Sequence, residues 1–258
     1  MKFLVIMLSL SFIFSCNKTE IKEKIEEKIE EKLKKEIEKT KKINWEERKY
    51  ILKNEYKSCK TIDNLLDINY LEWFETWLKD IWNSKYRNLI KRLEKSWIIN
   101  WTKENNFEWN RLISRVEFLK IVLRSHCIEY RNEDPSNLQF TDLDNKTWQA
   151  KVVKKSVDLW IANWDLSETW EKIFRADDII SSIEATKILL RMALVQKGEE
   201  PDTKYKDLEI DWHKKYVNQW EYLWVFSAED DNYKFNPNDW IDRNKTVDFL
   251  YKVINLYR

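Results

Sequence analysis

The stretch Ile113-Ser114-Arg115-Val116-Glu117-Phe118-Leu119-Lys120-Ile121-Val122-Leu123-Arg124 decides the fold, because it recurs as Ile180-Ser181-Ser182-Ile183-Glu184-Ala185-Thr186-Lys187-Ile188-Leu189-Leu190-Arg191. Seven of the twelve positions are identical, and both copies carry apolar residues at the spacing of an amphipathic helix. A weaker third copy opens at Ile241-Asp242-Arg243. A Phe precedes the Ile by six residues each time, at Phe107, Phe174 and Phe235. Self-similarity of this kind marks a modular fold in which neighbouring units share one core.

Upstream of each copy lies a helical pattern that ends in a Trp-flanked turn. The turns read Ser96-Trp97-Ile98-Ile99-Asn100-Trp101, Leu159-Trp160-Ile161-Ala162-Asn163-Trp164 and Leu223-Trp224-Val225-Phe226. Trp148 precedes Trp160 by twelve residues, as Trp212 precedes Trp224. Acidic openings recur at Phe140-Thr141-Asp142-Leu143-Asp144 and Tyr205-Lys206-Asp207-Leu208-Glu209.

In these features the chain resembles the S-layer-homology (SLH) family, whose pattern runs from an Asp-containing opening and a Trp through a helix to a Gly-aliphatic-aliphatic-x-Gly turn. It continues with Phe-x-Pro and a closing Ile-Thr-Arg-Ala-Glu helix. The resemblance covers about three quarters of the chain and is weakest over the first half of copy one. It implies a mainly α fold of three helix-loop-helix SLH-like repeats in a pseudo-threefold arrangement, over 66–127, 138–195 and 203–258. It also implies that the Arg on the first turn of a closing helix holds acidic wall polysaccharide in a groove between neighbouring units. The matching positions are Arg115 and Arg243; copy two has Ser182 there.

Local chemistry agrees with a helix start at each of these places. Ser114-x-x-Glu117 and Ser181-x-x-Glu184 are capping boxes, in which Ser accepts the third amide and Glu returns to the cap amide. Asp242 caps the third copy, where Lys245 breaks the box. A capped helix start directs N–H groups and the positive dipole end outward and favours anions. A guanidinium beside it suits bidentate pairing with a carboxylate. The expected ligand site is therefore Ser114, Arg115, Asp242 and Arg243. The same boxes serve equally as plain helix starts.

Composition adds an anomaly. The chain has one Gly and fifteen Trp among 258 residues, whereas average usage would give about 18 Gly. Gly and Trp together number sixteen. Two readings stand: a Trp-rich surface that stacks on sugars, or glycines written as Trp where UGA is read as glycine. The family pattern asks for Gly at Trp97, Trp101, Trp160, Trp164 and Trp224 and keeps Trp at Trp148 and Trp212. Trp109, Trp170, Trp220 and Trp240 fit either reading.

At the N-terminus, residues 1–15 read as a signal peptide, with Lys2 before an apolar run from Phe3 to Phe14. That run is shorter than the roughly 20 residues that span a bilayer. Ile13-Phe14-Ser15-Cys16 resembles a bacterial lipobox, which makes Cys16 the lipidated residue and places the protein outside a membrane, in the cell envelope. Cys59 and Cys127 then remain as a pair or as two thiols. Residues 16–43 form a charged helical spacer with Ile21, Ile25, Ile29, Leu33 and Ile37 four apart. That spacing is not the heptad of a left-handed coiled coil; a solvated strut and a homo-oligomerising stripe both fit it. Residues 44–65 connect the spacer to the body.

Lys+Arg 46 against Asp+Glu 45 gives a net charge of +1 and no global pull toward nucleic acid. The two His, His126 and His213, have no partner at metal-ligand or triad spacing. No phosphate-cradling loop and no distinct carboxylate pair stands out. The expectation is a non-catalytic anchoring protein without cofactor or metal, held to the membrane by lipid and to wall glycan by its repeats. The rival is a lipoprotein scaffold whose charged helix and degenerate repeats bind other proteins. A wall hydrolase has almost no sequence left for a catalytic domain.

Overall fold

Ser114 and Ser181 open their helices through reciprocal caps. Each hydroxyl accepts the amide of the Glu three residues on at 3.4 Å, and each Glu carboxylate accepts the Ser amide at 3.1 Å. The structure, a computed structural model, describes residues 76–99, 104–193, 203–223, 225–229 and 231–254. The signal segment, Cys16, the charged spacer, the connector with Cys59, and Trp101 and Trp224 lie outside the described residues. All described residues belong to one unit, Leu52–Arg258.

Within them the chain is mainly α. Six helices are described: α1 (Arg87–Lys95), α2 (Arg115–Ser125), α3 (Trp148–Asp158), α4 (Ser182–Met192), α5 (Asp211–Tyr222) and α6 (Arg243–Ile254). A short antiparallel hairpin, β1 (Asp165–Leu166) with β2 (Lys172–Ile173), lies between α3 and α4. Among the described residues no helix is long and apolar enough to cross a membrane.

Helices α1 and α3 stop in the same way. Ile98 N–H reaches back to the Leu93 carbonyl at 2.9 Å and Trp97 N–H to the Glu94 carbonyl at 2.9 Å. Ile161 N–H likewise reaches Ser156, and Trp160 N–H reaches Val157. This pair of bonds is the Schellman motif, which requires a left-handed residue just past the cap. Trp97 and Trp160 take that conformation, with φ of 58° and 57°. Trp164, where the family pattern also asks for Gly, is not left-handed. Trp220 belongs to no loop: it sits fully buried in α5, and its indole N–H donates to the Thr186 carbonyl at 3.1 Å.

The openings of α2, α4 and α6 converge on a closed ring of backbone bonds. Ile113 N–H donates to Ile241 O, Ile241 N–H to Ile180 O, and Ile180 N–H to Ile113 O, each at 3.1 Å. A second set runs round the three openings in the opposite sense: Arg115 N–H to Asp178 O, Ser182 N–H to Asp239 O, and Arg243 N–H to Arg111 O. Helix packing follows it too, with α2 on α3, α4 on α5 and α6 on α1. The three Ile residues are buried at the centre, so the ring satisfies backbone groups that burial would otherwise leave costly.

A third recurring device ties each loop to its opening. Asp80 accepts the amides of Phe107 and Glu108, Asp142 those of Phe174 and Arg175, and Asp207 those of Phe235 and Asn236, at 2.6 to 2.9 Å. The residue after each Phe is left-handed, with φ of 54°, 57° and 54° at Glu108, Arg175 and Asn236. Each Phe is buried. A carboxylate and an aromatic anchor thus fix the loop that leads into the next helix.

Candidate functional site

Arg115 is the first residue of α2, and its side chain runs along the α2–α4 interface rather than into solvent. Its Nη1 donates to Glu184 Oε1 at 2.9 Å and its Nη2 to the Asn163 carbonyl at 2.6 Å, with the guanidinium 4.9 Å above the Phe174 ring. Arg175 Nη2 joins the same Glu184 oxygen and Asp165 Oδ2, both at 2.8 Å. Burial alone would raise the Glu184 pKa. The Ser181 amide and the two guanidiniums outweigh it and hold the carboxyl below the usual range. The capping glutamate therefore has a second task, as internal counter-ion to the neighbouring Arg. An incoming carboxylate would have to share or displace it.

Arg243, first residue of α6, stands in the corresponding place against α2. Its guanidinium lies 4.6 Å above the Phe107 ring, as Arg115 lies above Phe174. It lines a small cavity of about 100 Å³ with Arg111, Glu117, Lys120 and Arg124, floored by Ile98, Ile99, Ile113 and Ile121. Here the capping carboxylate is taken from the other side: Arg111 Nη1 and Nη2 donate to Glu117 at 3.2 and 3.0 Å. Four cationic side chains and one carboxylate line the cavity. Burial and the nearby charge of Arg111 push Arg243 down to about 10. Burial and Arg124 lower Lys120. A guest anion would offset the like-charge part of both shifts.

The third corner is neutral. Asp242 caps α6 through the Lys245 amide at 2.7 Å, and Lys245 Nζ donates to Ser182 Oγ at 2.8 Å. Lys252 pairs with Asp248 at 3.2 Å, and Asp248 also accepts the Tyr86 hydroxyl. Ser182, standing where the other copies have Arg, serves an internal bond.

Of the expected site residues, Ser114 and Asp242 act as caps, Arg115 is ion-paired inside the protein, and Arg243 is half-buried in the cationic cavity. Sequence reading missed Arg111, Lys120 and Arg124. The signal was present, since Lys120 and Arg124 are two of the seven positions shared with Lys187 and Arg191. It also missed Asp80, two residues after Leu78 as Asp142 follows Phe140 and Asp207 follows Tyr205. Lys120 lies 4.4 Å over the Trp148 ring and Lys187 4.9 Å over Trp212, so those two indoles hold matching lysines. Comparison with protein-family models and with curated proteins matches none of them to this chain.

Proposed function

We propose that this chain is a non-catalytic anchoring protein of the cell envelope, in which three SLH-like repeats bind acidic wall polysaccharide and a lipid at Cys16 holds the membrane end. The cyclic backbone bonds at Ile113, Ile180 and Ile241, and the recurring Asp–Phe ties, support reading the body as three equivalent units. The observation that carries the binding claim is the cavity at Arg243, with four cations to one carboxylate. A polysaccharide bearing carboxylates or ketal-linked pyruvate is attracted by this cationic lining, and guanidinium forks recognise it bidentately. The corner at Arg115 is the weaker groove, because Glu184 already occupies its guanidinium. The corner at Ser182 is structural.

The test is co-sedimentation with purified sacculi. The protein pellets with intact sacculi and stays in the supernatant once the acidic polysaccharide has been stripped from them. Equal pelleting with both preparations overturns the reading. The disulfide bonding of Cys127, whose partner lies outside the described residues, is in keeping with an oxidising location beyond the cytoplasm.

A further inference from the structure

The described tryptophans differ in backbone conformation and in what holds their indoles. Three of them are left-handed: Trp97, Trp160 and Trp170, with φ of 58°, 57° and 64°. A bulky side chain in that region is a genuine outlier, whereas Gly enters it freely. Asn, which tolerates the region, contributes three positions to the same left-handed set, Asn105, Asn232 and Asn236. Tryptophan is thus as common there as the residue best suited to it after Gly.

The three positions also sit in motifs that call for Gly. Trp97 and Trp160 follow the C-caps of α1 and α3, where the Schellman bonds of Ile98 and Ile161 fix the backbone. Trp170 closes a hairpin: Ser167 N–H donates to Glu171 O at 2.9 Å and Trp170 N–H to Ser167 O at 3.0 Å, leaving the loop 168–170 between β1 and β2. A three-residue hairpin loop ends in a left-handed residue, for which Gly is standard. All three indoles are exposed, Trp170 to 80 %. Trp148, Trp212 and Trp220 differ. The first two lie in helices beneath Lys120 and Lys187, and Trp220 is buried and hydrogen-bonded.

We infer that the native polypeptide carries glycine at positions 97, 160 and 170, through UGA codons read as glycine, and tryptophan at 148, 212 and 220. The inference is independent of the binding function and changes the surface on which binding takes place. The turns beside the Arg124 and Arg191 side chains become bare backbone, whose carbonyl at 97 accepts Arg124 Nη1 at 2.9 Å. Sugar recognition at these turns then proceeds by charge and hydrogen bonds and not by stacking on indole.

Peptide mass spectrometry of the protein isolated from its own cells decides the matter. Peptides covering 97, 160 and 170 carry the lighter Gly residue, while those covering 148, 212 and 220 retain Trp. Tryptophan at 97, 160 and 170 overturns the inference, and so does Gly at 220. A recombinant chain with Trp97→Gly, Trp160→Gly and Trp170→Gly gives a second readout. Relief of three left-handed Trp residues raises its Tm over the Trp form by roughly 5–10 °C; an equal or lower Tm counts against it.

Discussion

At the scale of single residues, the largest effects come from polar groups that the fold takes out of water. His126 is fully buried, and its Nδ1 lies 2.9 Å from the Val122 carbonyl. Burial pushes its pKa from 6.5 to about 4. The unfolded chain therefore binds a proton that the folded chain refuses between those two values, so stability is full above pH 6.5 and falls as pH drops toward 4. The loss amounts to about 3 kcal/mol. Denaturant melts of the wild type and of His126→Gln across pH 7 to 4 check this; the variant loses that part of the pH slope. Asp142 offers a second case. Its carboxylate accepts the Phe174 and Arg175 amides, so Asp142→Ala leaves two donors without their acceptor and costs about 2–3 kcal/mol, readable as a lower denaturant midpoint. Asp142 was legible in the sequence as part of a recurring acidic opening. Asp80 was not, because its neighbours Trp77 and Leu78 blur the aromatic-x-Asp pattern that Phe140 and Tyr205 make plain.

At the scale of elements, helix starts were legible and side-chain destinations were not. Ser-x-x-Glu spells a capping box within four residues, and both boxes are present. What Glu184 does with its other oxygen depends on Arg115, sixty-nine residues away in the chain, and local spacing carries no trace of that contact. The Schellman ends show the opposite case, since a turn that needs Gly announces itself even when written with Trp. Glu184→Gln separates capping from charge. It keeps the cap acceptor for Ser181 but removes the counter-ion of Arg115 and Arg175, which sit 2.9 and 2.8 Å from it. The substitution costs about 1–3 kcal/mol in a thermal or urea melt, less than for a fully buried pair because solvent reaches Glu184 and Arg175. The matching Ser181→Ala change costs only about 1 kcal/mol.

At the scale of the whole molecule, the ring at Ile113, Ile180 and Ile241 sets the cooperativity. In a linear array each unit leans only on its neighbours, and loss of the last unit leaves the others folded. Here α6 packs on α1 and the Ile241 segment that opens it completes the ring, so the first and last described helices are neighbours. Truncation before Ile241 accordingly abolishes the cooperative transition of the remaining chain instead of removing one third of it. A flat thermal melt by near-UV circular dichroism is the expected outcome; a sharp transition in the truncated chain contradicts ring closure. The cyclic order of contacts could not be read from three copies in a row, because closure and open stacking use the same local sequence. The charge excess at the Arg243 corner and its absence at the Ser182 corner likewise emerge only when α6 meets α2 and α4.

The binding claim rests on the cationic cavity at Arg243, and equilibrium binding of purified acidic wall polysaccharide to the wild type and to Arg243→Ala tests it most directly. Loss of one charge-assisted contact in a partly buried site weakens binding about 10- to 100-fold, with an unchanged circular dichroism spectrum. Unchanged affinity of the folded variant would contradict the account.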